Sequence, residues 1–467
     1  MNVKALEILL GTTRVGVLFK YGDDNPIIRF VADDAFAYLP DAPTLSLSMV
    51  ADDAEAQRAL WANVTAKVFN GRYSPRNGWL LPAFFQGLLP EGVFRAHVAD
   101  VRGCDPKDHF EMLAATGRDL PGNVYARPAH LTREELTHLV TQNADSLEMT
   151  VTEEPLEDGV SVSGVQPKLG VIKDGDRYVG RTKMQDTHII AKLPVVGYPR
   201  LPELEELSLR LARAAGVDTC VAQLEPLEKL AVEHGYDLGD ADQKTAFLAV
   251  TRFDRRPGGR LQVEDFGQIL DVQPEDKYTK SYAEVAAVML AVPSLGEDGV
   301  HELLRRMTVN ELLGNPDMHL KNMGVIYRDG RTPQMSPAYD IVGYSAFANR
   351  EGHALHILPP ASEKKPKLRV QNPGDEKQAK AQLTPATLRA FCDLLGMLEK
   401  PAAAVIQRTV AAAVDVWPGM VADSGLTEMQ KTRLLAHFDA HPMVQSLRKR
   451  LASRAQRQTR QTRQNDV

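Results

Sequence analysis

Cysteine is scarce in this 467-residue chain. Its three residues, Cys104, Cys220 and Cys392, lie far apart, without CxxC or metal-ligand spacing. That argues against a disulfide scaffold or a cysteine zinc module and fits a reducing compartment. No stretch reaches the roughly 18 apolar residues of a membrane span. The opening MNVKALEILLGTTRVG lacks the basic, apolar, small-residue order of a secretion signal. The expectation is a cytoplasmic protein without membrane attachment. Internal repeats are also missing. An excess of positive charge is missing from the bulk: the formal net charge is −6. Residues 448–467 hold seven Lys/Arg and one Asp, so they carry about +6 and the remainder about −12. Bulk charge therefore gives no general nucleic-acid signal. The basic end, 446–467, suits a phosphate backbone or an acidic partner, but the plainer expectation is a disordered, solubilising tail.

What is present is ordinary globular composition, 43% hydrophobic and 25% charged. Residues 15–19 and 27–31 read as strands. Pro82 opens a helix within 80–89, and 108–117 read as a helix stopped at Gly117. TREEL places a capping box on Thr132 and Glu135. Residues 169–172, a turn at 173–176, 178–179 and 188–193 read as an antiparallel β unit. A helix over 203–215 follows, with Leu204, Leu207 and Leu211 on one face and Gly216 closing it. A strand covers 245–253. Beyond residue 280 the period is helical at 282–291, 300–313, 384–396 and 400–415, around a strand pair at 323–327 and 334–335. The lysine-rich 361–380 reads as an exposed loop.

The densest polar constellation is Gly314-Asn315-Pro316-Asp317-Met318-His319-Leu320-Lys321-Asn322, between an apolar helix and an apolar strand. Asp340 follows within Ser336-Pro337-Ala338-Tyr339-Asp340-Ile341. Phosphoryl transfer requires a group that orients an alcohol and Mg²⁺ to neutralise phosphate charge. Asp317 suits the first role, with Lys321 offsetting charge. Asn322 and Asp340 supply the hard oxygens Mg²⁺ prefers. Taken singly, Asp317 reads as a turn cap and Asn322 as a partner for buried backbone; the conjunction with Asp340 and the upstream β unit favours chemistry. His319 has no second His/Cys pair nearby, which argues against zinc. Upstream, Gly164 sits among small residues before Gln166 and Lys168, where backbone N–H groups can approach phosphate. Lys192 ends a strand, and an inward lysine requires a partner; ATP phosphate suits it, with Glu205 or Glu206 available to hold the amine. Gly175 to Thr182 mimics a P-loop, but Arg181 replaces its lysine and no apolar helix follows.

The ordered series SVSGVQPKLG (161–170), HIIAKLP (188–194), VTRFDR (250–255), VEDFGQIL (263–270), GNPDMHLKN (314–322) and SPAYDI (336–341) resembles the HipA family. These are serine/threonine kinase toxins of bacterial type II toxin–antitoxin systems, distantly similar to phosphatidylinositol 3/4-kinases. The resemblance covers roughly residues 1–420. It implies an α+β, bilobal protein-kinase-like fold with a small N-terminal α+β domain and a mostly helical C-terminal half. The expected divisions are 1–125, a β-rich nucleotide-binding lobe at 126–255, a helical catalytic lobe at 256–445 and the tail.

The resemblance makes Asp317 the catalytic aspartate, Asn322 and Asp340 the Mg²⁺ ligands, and Lys192 the ATP-phosphate lysine. It makes Gly164, Val165, Gln166 and Lys168 the phosphate-side loop, and Arg252 and Phe253 part of the segment framing adenine. Thr251 departs from the family's usual glutamate. Ser161, or alternatively Ser163, matches the autophosphorylated serine. Implied partners are a protein substrate such as an aminoacyl-tRNA synthetase and a small helix-turn-helix antitoxin, with DNA reached through that complex or the basic tail. The competing readings are a non-catalytic nucleotide-binding subunit of a DNA-binding complex and a lipid or small-molecule kinase.

Overall fold

Alternation of apolar side chains builds the first sheet. In the strand Asn2–Leu10, Leu6, Ile8 and Leu10 enter one core while Val3 and Ala5 enter another. This strand pairs antiparallel with Thr13–Tyr21 and with Val124–Pro128, and Ile27–Ala32 flanks Thr13–Tyr21. The larger core holds Phe30, Phe36, Trp61, Phe69, Phe84, Phe85 and Phe110. This computed structural model describes residues 2–22, 24–39, 41–139, 148–149, 152–156, 166–181, 185–348, 352–360 and 382–465. The chain divides into two compact units.

The first unit comprises residues 1–199, 223–277 and 323–336. Beside the N-terminal sheet it contains a second one, where Ala246–Thr251, Ile189–Lys192, Lys168–Asp174 and Arg177–Val179 lie side by side, antiparallel. Val171, Tyr178, Ala191, Leu193 and Phe247 form its core. Up to Val179 the P-loop mimic is part of a hairpin, with Gly175 in the left-handed region at its turn. A third antiparallel sheet joins Gln262–Asp265, Gly324–Tyr327 and Pro333–Met335. The helix expected after Pro82 is Ala83–Gly87, and that before Gly117 is His109–Thr116. The capping box at Thr132 and Glu135 forms in both directions.

The second unit, residues 200–222, 278–322 and 337–467, is helical. Its helices are Leu201–Ala214, Tyr282–Ala291, Gly296–Leu313, Pro385–Leu395, Glu399–Ala422, Glu428–Ala440 and Pro442–Asn465. Leu204, Leu207 and Leu211 are buried on the first of them, as the 3.6-residue period requires. Capping boxes start the helices after Ser281 and Thr427. The basic end differs from the disordered expectation, being helical over Pro442–Asn465. Its arginine, glutamine, alanine and leucine residues propagate a helix well, and buried Val444 anchors the first turn. The 361–380 segment lies outside the described residues.

The α+β class, with a β-rich N-terminal region and a more helical C-terminal region, matches expectation. All three cysteines are free thiols. Among the described residues no helix is long and apolar enough to cross a membrane.

Candidate active site

In the helical unit, Gly314 ends the Gly296–Leu313 helix in the left-handed conformation, φ 62°, and turns the chain into the Asp317 loop. Buried side chains lock that loop. Asn315 Nδ2 donates to Asn310 Oδ1 at 2.6 Å, and the Asp317 N–H donates to Asn315 Oδ1 at 3.2 Å. Tyr282 Oη donates to the Met318 carbonyl at 2.9 Å. Burial raises the Tyr282 phenol far above its usual range, so it remains a donor. Asn322 Nδ2 donates to the Asp317 carbonyl at 2.8 Å, which orients the amide and leaves its oxygen as the acceptor end.

The Asp317 carboxylate is 43% exposed, open to an incoming hydroxyl. Tyr278 Oη donates to its Oδ1 at 2.9 Å, and His319 Nε2 stands 3.8 Å from the same oxygen. The Tyr278 and His319 rings meet edge-on, with centroids 5.0 Å apart. Lys321 is buried at 8% exposure. Tyr339 Oη donates to the Lys321 carbonyl at 2.9 Å, which brings the Asp340 segment against the Asp317 loop. That segment is also anchored through Ala338, whose backbone bonds Asp218 and Cys220. Asp340 has φ 54°, a left-handed conformation uncommon for a non-glycine residue. Asp317, Lys321, Asn322 and the Asp340 segment are thus assembled within one unit.

The nucleotide-side expectations fall in the β-rich unit. Lys192 is buried at 5% exposure, opposite Lys168 in register, and Lys168 is buried at 6%. Gln166 is half-buried, with a buried Nε2 that has no hydrogen-bond partner among the described residues. Phe253 is half-buried just beyond the Ala246–Thr251 strand. Gly164, Val165, Ser161 and Ser163 lie outside the described residues. In the helical unit, Glu206 pairs with Arg210 at 2.7 Å while Glu205 is buried.

Arg252 lies in the segment expected to frame adenine, and its side chain is fully engaged within the protein. All five of its guanidinium hydrogens have protein acceptors: Asp254 twice, Asp119, Thr187 Oγ1 and the Leu120 carbonyl. Its backbone N–H donates to the His188 carbonyl. The side chain is therefore a structural clamp and has no donor left for a nucleotide. Sequence reading also missed Tyr278, Tyr282 and Tyr339, whose hydroxyls hold the Asp317 loop. They stand 39, 36 and 18 residues from their partners, beyond the reach of a local motif.

Comparison with known proteins fits this geometry. The model of the HipA N-terminal domain matches residues 6–127, and that of the HipA-like C-terminal domain matches residues 160–417. The inferred kinase Y4dM of Sinorhizobium fredii is 32% identical over 356 residues, which is 76% of this chain and 80% of that protein. A second inferred kinase of the same organism, Y4mE, is 30% identical over 56% of this chain and 64% of its own length. The structure of HipA of Shewanella oneidensis, solved as a toxin–antitoxin complex with HipB and operator DNA, is 20% identical with a TM-score of 0.64. That match covers 93% of this chain and 97% of the other. The chain belongs to the HipA family, carrying that family's N-terminal and C-terminal domains on one polypeptide.

Proposed function

We propose that this chain is an ATP- and Mg²⁺-dependent serine/threonine protein kinase, the toxin of a two-protein toxin–antitoxin pair. The observation that carries the reading is the locked, half-exposed Asp317 carboxylate with the Asn322 amide fixed beside it. Asp317 orients the substrate hydroxyl and accepts its proton as oxygen attacks the γ-phosphorus. The β–γ bridging bond breaks and ADP leaves. The Lys321 amine offsets charge at Asp317 and on the moving phosphoryl group. Lys192 contacts phosphate, with Gln166, Lys168 and the backbone at Gly164 and Val165 on the phosphate side, while Phe253 packs at adenine.

Asn322 Oδ1 and the Asp340 carboxylate fit Mg²⁺. Among the described residues no group of three or more His, Cys, Asp or Glu is placed to hold a metal. Mg²⁺ keeps several waters and takes few protein ligands beside substrate phosphates, and an amide with a carboxylate is the pair used in protein-kinase sites. Mg²⁺ supplies charge neutralisation on the phosphates.

Ser161 is the proposed autophosphorylation site and Ser163 the alternative; about −2 of charge there opposes ATP phosphates. A cytoplasmic protein such as an aminoacyl-tRNA synthetase is the proposed substrate, and a small helix-turn-helix antitoxin the proposed partner, with DNA reached through that complex. The HipB–operator complex of the Shewanella relative supports the antitoxin and DNA part of this reading. The test is incubation with host extract, labelled ATP and Mg²⁺, followed by identification of labelled proteins. A labelled serine or threonine protein, absent when Mg²⁺ is chelated, supports the reading; label confined to lipid or small molecules contradicts it.

A further inference from the structure

Asp119 lies in the turn before the Val124–Pro128 strand and has no solvent exposure. Its carboxylate accepts four hydrogen bonds, the full capacity of its lone pairs. Oδ1 takes Arg252 Nη1 at 3.1 Å and Arg255 Nη2 at 2.7 Å. Oδ2 takes the Thr187 N–H at 3.0 Å and Thr187 Oγ1 at 2.8 Å. Asp254 completes the cluster by accepting from Arg252, Arg255 and the Gly122 N–H. Arg260 bonds Asp186 and the Arg118 carbonyl and lies over the Tyr125 ring, 4.1 Å from its centroid. Burial alone would raise the Asp119 and Asp254 carboxyls, but the arginines outweigh it and hold both far below the usual carboxylate range.

The position of this cluster gives it a role. Thr187 stands two residues before the Ile189–Lys192 strand, and Arg252 immediately follows Ala246–Thr251. The two strands pair Ile189 with Thr251 and Lys192 with Leu248. The Asp119 carboxylate therefore clasps the adjacent ends of both. Charge-assisted bonds in a buried, saturated network have narrow geometric tolerance.

We propose that Asp119 is a positioning residue for nucleotide binding: through Thr187 and Arg252 it sets the paired strands that place Lys192 and the Phe253 segment. The HipA N-terminal domain is then a working part of the ATP site. This inference rests on the ATP reading above.

The experiment uses the full chain and two measurements. The first is ATP affinity by calorimetry, with KM for ATP and kcat for phosphate transfer. The second is amide hydrogen exchange without nucleotide. Asp119→Asn weakens ATP binding about tenfold and raises KM more than it lowers kcat. It also speeds exchange at 188–192 and 246–253 while leaving 2–10 unchanged. Thr187→Val, which loses only the hydroxyl, gives the same pattern at about threefold and serves if Asp119→Asn fails to fold. ATP affinity within twofold of wild type in a folded Asp119→Asn or Thr187→Val protein overturns the proposal, as does exchange that rises uniformly. Wild-type protein that binds no ATP defeats the kinase reading instead; the exchange pattern then still decides whether Asp119 positions the strands.

Discussion

Tyr278 Oη lies 2.9 Å from Asp317 Oδ1, and its ring rests edge-on against His319. One carboxylate oxygen of the Asp317 loop is thereby held by a phenol from the turn before the Tyr282–Ala291 helix. Tyr278→Phe keeps the ring contact and removes the bond. A hydrogen bond to a charged group is worth about 1.5–3 kcal/mol, of which partial exposure leaves about 1–2. The expected result is kcat for phosphate transfer reduced about 5- to 30-fold with KM for ATP unchanged. Steady-state kinetics checks it.

Asp340 combines a left-handed backbone, φ 54°, with the carboxylate proposed above as a Mg²⁺ ligand. Asparagine tolerates this conformation but is a poorer cation ligand. Asp340→Asn is therefore expected to unfold in urea within about 0.5 kcal/mol of wild type and to lose activity at least about 100-fold, by analogy with the removal of one electrostatic catalytic group. Asp340→Val adds backbone strain of about 1–2 kcal/mol. Denaturation and activity measured on the same preparations separate the two effects.

Glu264 is a buried acid in the β-rich unit. Ser46 Oγ donates to it at 2.6 Å and the Leu47 N–H at 2.9 Å, and Tyr327 Oη also bonds it. Burial dominates and pushes its carboxyl up to about 7, despite these donors. A raised folded-state value means that the native protein holds this proton more tightly than the unfolded chain. Its contribution is fully present below about pH 4.5 and is lost as pH rises through about 7, amounting to about 3 kcal/mol. Relative to Glu264→Gln, wild type should therefore lose stability between pH 5 and pH 8. Urea midpoints at both pH values measure this; parallel profiles for the two proteins contradict it.

Local patterns in the sequence were enough to place most elements. Strand alternation located 15–19 and 27–31, and the 3.6-residue period located the helix beginning at Leu201 and the one ending at Leu313. The Asp317 loop was legible because its polar residues are contiguous. The partners of the Arg252 side chain were not legible because sequence shows that a cation is present, not which buried acid takes it: Asp119 lies 133 residues away. The tyrosines that hold the loop were invisible for the same reason. The third sheet gathers strands near residues 262 and 324, a long-range pairing that no periodicity reveals. The helical end escaped because its charge suggested solvation, which a helix also permits.

The most direct test of the account compares transfer of the labelled ATP γ-phosphate by wild type and Asp317→Asn, at matched folding and saturating Mg²⁺. The account predicts transfer by wild type and a loss of at least about 100-fold in the variant, with ATP affinity retained. Transfer at the wild-type rate by Asp317→Asn contradicts it.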